Sequence, residues 1–283
     1  MIYLKEGLTP LNSVYSDEIV HEGNSTYQLS FKFPVKDPLW KSLKEETLLV
    51  ADDLHGEQEF VIFEVERQHT YITVYANQVA TLLNNYAITD ISVKNANGTR
   101  VMEQLARSII RPHDFIFSAD ISSLHTFNVK NVTAAEALFK DAHSIMGQWG
   151  GDLIRDKYRI KLQSNGGTEK EALFMYKKNL KGYQQKKSIK DLRTRIHFTK
   201  TIPAEAEGGE ERVIKATVDS PLIDKYKYIY ESNLEVNDQD VVDLQGLVKY
   251  GQQYFKNTLC DLIEDTIEIE VVGKPDVPVK IFD

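Results

Sequence analysis

Short segments with a two-residue hydrophobic period dominate the first part of the chain. In YQLSFKF (27–33) every second residue is apolar, which is typical of a strand with one buried face. FVIFEVERQHTYITVYA (60–76) predicts two further strands joined by a polar turn. Apolar residues at helical spacing then predict a short helix over 77–86. Residues 1–90 are therefore predicted to be rich in β-structure.

The hydrophobic period changes to three or four residues in the middle of the chain. TRVMEQLARSII (99–110) has the apolar stripe of an amphipathic helix. TAAEALFKDAHSIMG (133–147) predicts a second helix, in which Thr133 and Glu136 match the capping-box pattern. GGDLIRDKYRIKLQ (150–163) alternates again and predicts a hairpin with its turn at the central Asp-Lys pair. The middle region is thus predicted to be α+β.

The last part of the chain combines strands with one long helix. The helix is predicted over 240–263, where apolar residues recur every three, four or seven positions. IPAEAEGGEE (202–211) is polar, contains glycines and predicts a surface loop. Further strands are predicted at ALFMY (172–176), RTRIHF (193–198), RVIKATV (212–218) and TIEIEVVG (266–273). The whole pattern predicts a β-rich, multidomain α+β fold.

Composition narrows the class of protein. The chain has 283 residues, 42% apolar and 27% charged residues and a formal net charge of −8, as expected of a soluble globular protein with about two to four cores. No secretory signal and no run of about 18 apolar residues is present. The single cysteine, Cys260, excludes an internal disulfide. We therefore expect synthesis in a reducing cytoplasm and no membrane anchor.

A search for catalytic chemistry finds no motif. The seven histidines form no His-x-x-x-His pair, and neither a Gly-x-Ser-x-Gly elbow nor a phosphate-binding glycine loop occurs. Cys260 lies next to Asp261 and near Glu264, and nearby acids disfavour a reactive thiolate. The sequence therefore predicts no catalytic residue, no cofactor and no metal site.

One segment departs from the acidic character of the chain. FMYKKNLKGYQQKKSIKDLRTRIHF (174–198) contains eight Lys or Arg residues and one acid, Asp191. We interpret it as an interface with another subunit, because strand edges with lysines resist wrong pairing and opposite charges guide the correct partner. Acidic candidates for that partner are 231–243 and 205–211. The candidate interface residues are Lys177, Lys178, Lys181, Lys186, Lys187, Lys190, Arg193 and Arg195.

Two other interpretations of this basic segment stay open. It can be a solvated strand face that contacts no partner. DNA binding is the third choice, because the acidic net charge of the chain argues against general DNA binding, although it leaves a local basic patch possible.

The order of several short motifs resembles one family of phage proteins. A G-G-E-hydrophobic-x-R-D-N hairpin, a Y-G-K-N-L element, a T-R-hydrophobic-x-P element and an S-P-hydrophobic-x-x-Y element follow one another in that family. The matching segments are Gly150, Gly151, Arg155 and Asp156, then Tyr176, Lys178, Asn179 and Leu180, then Thr194 and Arg195, and then DSPLIDKY (219–226). NSTYQLSFKFPV (24–35) resembles the opening strand of the family, so the resemblance spans nearly the whole chain.

The family is that of tail-tip or baseplate hub proteins of long-tailed phages, often labelled prophage endopeptidase tail or tail-associated lysin. Lys157 stands where the family hairpin has asparagine, Lys177 stands where the second element has glycine, and HFTKTIP (197–203) replaces a tighter turn. These departures concern local turns and leave the order of the elements unchanged.

The resemblance implies a structural role in a homotrimeric ring that joins the tail tube to the host-facing tip and encloses the DNA channel. Implied partners are further copies of the chain, the distal tail or tail-tube protein, the tape-measure protein and a downstream tip or receptor-binding protein, with DNA only in passing. The implied location is the tail tip of the virion, assembled in the host cytoplasm.

The resemblance also implies four domains. They are a first β-barrel-like hub domain (1–90), an α+β domain (91–175), a second β-barrel-like hub domain (176–216 plus 265–283) and an inserted helical domain (217–264). The second barrel would need residues after Asp283 to close.

Two alternative functions remain at this stage. Peptidoglycan endopeptidase activity is suggested only by the family label, and in the family this activity belongs to C-terminal modules, so we expect this chain not to be an enzyme. A carbohydrate-binding module is suggested by Tyr226, Tyr228 and Tyr230, which alternate as on one face of a strand, although a plain strand face explains the same pattern.

Overall fold

A computed structural model describes residues 1–53, 56–140, 143–169, 174–176, 178–202, 211–238, 241–272, 279, 281 and 282. The strands are β1 Ile2–Leu4, β2 Thr9–Pro10, β3 Tyr15–His21, β4 Tyr27–Pro34, β5 Leu48–Asp53, β6 Gly56–Arg67, β7 Tyr71–Gln78, β8 Asp90–Ala96, β9 Ile116–Ala119, β10 His125–Lys130, β11 Asp152–Asp156, β12 Arg159–Gln163, β13 Leu180–Ser188, β14 Arg195–Ile202, β15 Arg212–Asp219, β16 Glu231–Glu235 and β17 Glu264–Val271. The α-helices are α1 Gly98–Ser108, α2 Ala134–Phe139, α3 Ile145–Trp149 and α4 Leu244–Thr258, and 3₁₀ helices lie at Glu6–Leu8, Pro38–Ser42, Val79–Asn85 and Ile223–Lys225. The prediction of a β-rich α+β fold is confirmed.

The chain divides into two compact units, Met1–Ala172 with Val277–Asp283, and Leu173–Asp276. The first unit holds two clusters of buried apolar residues, and the second unit holds one. Helices α1, α2 and α3 contribute to one of its two clusters, and the other cluster is formed mainly by strands, with the 3₁₀ helix Pro38–Ser42 packed against it.

The first cluster of the first unit is covered by a seven-stranded antiparallel sheet with the order β2-β1-β5-β6-β7-β4-β3. Strand β4 confirms the predicted alternation, because Leu29, Phe31 and Phe33 are buried while the polar residues between them are partly exposed. Strands β6 and β7 form the predicted hairpin, whose turn is closed by a hydrogen bond from Gln68 N to Tyr71 O (2.8 Å).

The second cluster of the first unit packs helices against two small sheets. Helix α1 buries Val101, Met102 and Leu105, which confirms the predicted amphipathic helix. The short helix predicted over 77–86 is also confirmed and is a 3₁₀ helix, Val79–Asn85. Strands β8 and β10 pair with each other, and β12 lies between β11 and β9. The predicted hairpin is confirmed as the antiparallel pair β11–β12.

The helix predicted over 133–147 is two helices in the structure. Its start is correct: Thr133 Oγ1 accepts a hydrogen bond from Glu136 N (3.2 Å), and a Glu136 carboxylate oxygen accepts one from Thr133 N (2.9 Å). The single helix is wrong, because α2 ends at Phe139 and Ser144 caps a new helix by accepting from Gly147 N (3.1 Å). Phe139, the last residue of α2, is exposed.

The second unit contains a three-stranded sheet, one long helix and a separate two-stranded ribbon. In the sheet, β14 pairs antiparallel with β15 and parallel with β16. Helix α4 packs so closely on this sheet that a Cβ at Gly251 would lie 2.7 Å from atoms of Phe198 and Val218. Glycine at this position therefore sets how near the helix can approach the sheet. The ribbon consists of β13 and β17.

Two predictions for the last third of the chain are wrong in their bounds. The helix predicted over 240–263 begins after Asp243, which caps it by accepting from Gly246 N (2.7 Å), and ends where Leu259 takes a left-handed conformation (φ 52°). Of the predicted strand 172–176, the described residues 174–176 form only a single bridge, from Tyr176 to Leu180. Most of the predicted loop 202–211 lies outside the described residues. The strands at RTRIHF, RVIKATV and TIEIEVVG are confirmed as β14, β15 and β17.

Candidate subunit interface

The basic candidate residues follow one another through the second unit. Lys181, Lys186 and Lys187 lie on β13, Lys190 and Arg193 lie in the connection that follows, and Arg195 is the first residue of β14. Lys178 lies two residues before β13 and is exposed, and Lys177 lies outside the described residues. The structure thus brings the described candidates to one ribbon and to the adjoining start of a sheet.

Acidic residues of the same chain lie beside two of these lysines. Strand β13 runs antiparallel to β17, and the Nζ of Lys187 lies 3.3 Å from Asp265 Oδ2. Lys181 forms an ion pair with Glu270. The Asp265 carboxylate also accepts hydrogen bonds from Gln185 Nε2 at 2.7 and 3.0 Å, and these bonds, followed by the contact with Lys187, hold the pKa of Asp265 below its usual value.

These partners were missed by the sequence analysis, which proposed 231–243 and 205–211 as acidic partners. The signal was present in EDTIEIEV (264–271), which contains four acids and alternates apolar and acidic residues over 267–271. A strand with acids on alternate positions matches a strand with lysines, because directly opposed side chains on one face of a sheet interact.

Arg195 joins three strands through its guanidinium group. Its Nε and Nη2 donate to the two carboxylate oxygens of Asp219 at 2.6 and 2.8 Å, and its Nη1 donates to Glu231 at 3.4 Å. This fork lowers the pKa of Asp219 and raises the pKa of Arg195. Glu231 belongs to the acidic segment 231–243, so one member of that segment has a basic partner within its own chain.

Arg193 stabilises the connection between β13 and β14. Its Nη1 donates to the carbonyl oxygens of Leu192 (2.7 Å) and Lys190 (3.3 Å), and its backbone N donates to Cys260 O (2.7 Å). Lys186 and Lys190 are exposed. The candidate residues therefore divide into those with a local structural role and those that present charge to solvent.

The hairpin motif of the first unit joins its two clusters. Arg155 Nη1 donates to Ser25 O (2.7 Å), and Nη2 donates to Gly23 O (3.0 Å) and Glu22 O (3.3 Å). These carbonyls belong to the turn between β3 and β4, in the seven-stranded sheet. The Arg of the motif thus ties the β11–β12 hairpin to a turn of the neighbouring sheet.

The tip of the same hairpin is held by two buried glutamines. Lys157 N donates to Gln58 Oε1 (2.9 Å), and Gln78 Nε2 donates to Lys157 O (2.8 Å). Lys157 has a φ of +51°, a conformation in which asparagine is far more common than lysine. That preference gives a physical reason for the asparagine at this position in the hairpin motif that the chain resembles.

Two residues of DSPLIDKY (219–226), Ser220 and Tyr226, bind the same buried residue, Asp261. Ser220 donates from its hydroxyl to the Asp261 carboxylate, which is 5% exposed, and Tyr226 donates from its hydroxyl to the backbone oxygen of Asp261 (2.6 Å). Ser220 Oγ also accepts from Leu222 N (2.9 Å). Both residues therefore fix the segment after α4.

The tyrosines at 226–230 do not form a strand face, so that prediction is wrong. They precede β16, which begins at Glu231. Tyr226 and Tyr230 contact edge to face with a centroid distance of 6.4 Å, and Tyr228 is exposed. The segment bends because Thr194 Oγ1 accepts from Tyr230 N (2.9 Å) and Tyr226 is held at Asp261.

Other candidate chemistry is limited in the described part of the chain. Burial raises the pKa of the Cys260 thiol, which disfavours the reactive thiolate. Among the described residues, no group of three or more His, Cys, Asp or Glu side chains has the geometry to hold a metal ion. None of the described helices combines the length and the apolar character needed to cross a bilayer.

Crystal structures of tail proteins, two of them from prophages, share the fold of this chain. The prophage tail protein gp18 from Listeria monocytogenes EGD-e matches with a TM-score of 0.66 and 16% identity, over 95% of this chain and 80% of the other. The tail protein from Neisseria meningitidis MC58 matches with a TM-score of 0.62 and 12% identity, over 94% and 78%. The 43 kDa tail protein of prophage MuSo2 from Shewanella oneidensis matches with a TM-score of 0.58 and 15% identity, over 91% and 77%.

No protein-family model and no curated protein matches the chain. The similarity to the three crystal structures extends over nearly the whole chain and lies at the level of the fold. The chain therefore has the fold of prophage tail proteins, and the resemblance drawn from its motifs is confirmed to that extent.

Proposed function

We propose that this protein is a structural component of a phage or prophage tail and that it forms the baseplate hub at the tail tip. The observation that supports this most strongly is the fold similarity to prophage tail proteins over 91–95% of the chain. The order of the sequence motifs that contain Arg155, Arg195 and Ser220 supports it independently.

In the proposed assembly, three copies form a ring that joins the tail tube to the host-facing tip and surrounds the DNA channel. Each copy contributes two β-barrel-like hub domains (1–90, and 176–216 plus 265–283), an α+β domain (91–175) and a helical insertion (217–264). The basic residues of 174–198 contribute to the contacts between copies. Lys186 and Lys190 present their charges to solvent, which supports an electrostatic role in such contacts.

The proposed neighbours in the virion are the distal tail or tail-tube protein, the tape-measure protein and a downstream tip or receptor-binding protein. DNA passes without lasting contact. The role is structural and not enzymatic, and the hub is assembled in the host cytoplasm before it becomes part of the virion.

Immunogold labelling of purified particles tests this proposal. Antibodies against the chain, applied to phage-like particles induced from the source bacterium, are expected to label the tail end opposite the capsid. A serum depleted on the purified chain is the control. Label on capsids, or intact particles without label in which mass spectrometry does not find the chain, would overturn the proposal. In parallel, the full chain is expected to release no soluble fragments from purified peptidoglycan.

A further inference from the structure

The β13–β17 ribbon of the second unit has no buried residue. Among the described strands, β13 and β17 pair only with each other, and a two-stranded ribbon alone is at best marginally stable in water. Nearly all residues of both strands are exposed or partly exposed. Each strand therefore has one edge that no described strand covers, and such edges favour the addition of another strand.

One face of the ribbon carries apolar side chains beside the Lys187–Asp265 ion pair. Tyr183 lies opposite Ile269 in the register of the two strands, and Gln185 lies opposite Ile267, so these four side chains share a face. Tyr183, Ile267 and Ile269 are 58%, 55% and 41% exposed. Adjacent exposed apolar residues on a sheet face are a feature of interaction surfaces.

The charges on the two strands determine which partner fits. Strand β13 carries three lysines and no acid, and β17 carries four acids and no base. If two copies met through the same strand, like charges would lie opposite each other, which destabilises a sheet. Pairing β13 of one copy with β17 of the next repeats the pairing that already extends over eight residue pairs within the chain.

We propose that the uncovered edge of β13 binds the uncovered edge of β17 in a second copy of this chain, antiparallel and head to tail. The faces that carry the apolar side chains then join into one surface, and basic and acidic strands alternate through the assembly. Lys186 and Glu268 share the charged face and make no ion pair among the described residues. In the proposed contact, Lys186 of one copy pairs with Glu268 of the next. A head-to-tail contact of this kind closes into a ring when its rotation permits. The inference rests on the proposed function only in taking a ring as the end state.

Charge reversal on the full-length chain tests the contact. By light scattering over a concentration series, the wild-type chain is expected to self-associate, and Lys186→Glu or Glu268→Lys is expected to weaken association by at least about tenfold. The double variant Lys186→Glu/Glu268→Lys restores attraction between successive copies and is expected to regain assembly. Lys94→Glu changes the same charge on an exposed position of β8 and serves as the control.

Hydrogen exchange gives a second measurement that does not depend on the variants. Amides of 180–188 and 264–271 are expected to become protected as the wild-type concentration rises. A chain that stays monomeric up to about 100 µM, a weak limit for a specific contact, overturns the inference. Assembly that neither single variant affects, without new protection in these strands, also overturns it. Tail-end immunogold label together with either result would retain the proposed function and reject only this contact.

Discussion

The guanidinium group of Arg155 lies over the ring of Tyr27, 5.3 Å from the ring centroid. Arg155 belongs to the hairpin of the second cluster, and Tyr27 begins β4, which lies between β7 and the edge strand β3 of the seven-stranded sheet. Burial lowers the pKa of Arg155 and raises that of Tyr27. The contact combines a cation–π interaction with hydrogen bonds to the neighbouring turn, so a single side chain joins two parts of the first unit.

Replacing Arg155 should therefore weaken the contact between the β11–β12 hairpin and the seven-stranded sheet. Arg155→Ala is expected to destabilise the first unit by about 3 kcal/mol, because hydrogen bonds from a charged donor to backbone oxygens are lost. Arg155→Lys should recover only part of the loss, since an ammonium group cannot reproduce the planar fork. Thermal unfolding followed by circular dichroism measures both effects. Arg159→Ala, on an exposed position of the same hairpin, is the control, and an equal loss in that variant would contradict the prediction.

The left-handed conformation of Lys157 predicts that a substitution at this position can stabilise the protein. Lys157→Asn is expected to stabilise the protein by about 0.5–1 kcal/mol, because asparagine tolerates this conformation better. The ion pair lost with Glu57 spans 3.7 Å between exposed side chains and contributes little. Denaturant unfolding should show a higher midpoint. Lys161→Asn makes the same chemical change on the extended strand β12 and should give no gain, and stabilisation by both variants would rule out the conformational explanation.

Local patterns predicted those elements whose stability is local. The alternation in 27–33, the capping box at Thr133 and the β11–β12 turn depend on residues close in sequence, and the structure confirms all three. Strand β13 has little apolar alternation because both of its faces are largely exposed. It is a strand because it pairs with β17, about 80 residues later, and long-range pairing of this kind leaves no local signal.

The ion-pair partners in the candidate interface also depend on residues that are distant in sequence. The positive charge of 174–198 was evident in the sequence, but its nearest acids come from β15, β16 and β17. Only the fold determines that Arg195 meets Asp219. The contacts made by the motif residues could not be predicted either, since nothing near Ser220 in the sequence indicates that its partner is Asp261.

The hydroxyl groups of Ser220 and Tyr226 both bind Asp261, so the effects of removing them on the free energy of unfolding should be coupled. Ser220→Ala removes a hydrogen bond from a buried carboxylate and is expected to cost about 2 kcal/mol, and Tyr226→Phe about 1 kcal/mol. Because both groups bind the same residue, the double variant should deviate from the sum of the two single changes. Urea unfolding of the four proteins measures this cycle. Tyr228→Phe, which removes an exposed hydroxyl, is the control and should leave the free energy of unfolding unchanged. Strict additivity in the double variant would contradict coupling through Asp261.

The fork between Arg195 and Asp219 should make stability depend on pH in acid. Hydrogen bonds from Arg195 lower the pKa of Asp219 from the usual 3.8. A carboxylate with a lowered pKa in the folded state stabilises the fold above its unfolded pKa, and that contribution is lost as the pH falls through the folded pKa. Arg195→Gln should therefore lower the Tm at pH 7, and the difference from wild type should shrink below pH 3.8. Arg107→Gln, which removes an exposed ion pair with Glu103 on α1, is the control and should cause a smaller change at pH 7. A difference for Arg195→Gln that stays constant down to pH 3, well into the acid range of a normal carboxyl, would show that packing, and not the charge of Asp219, accounts for the contribution of Arg195.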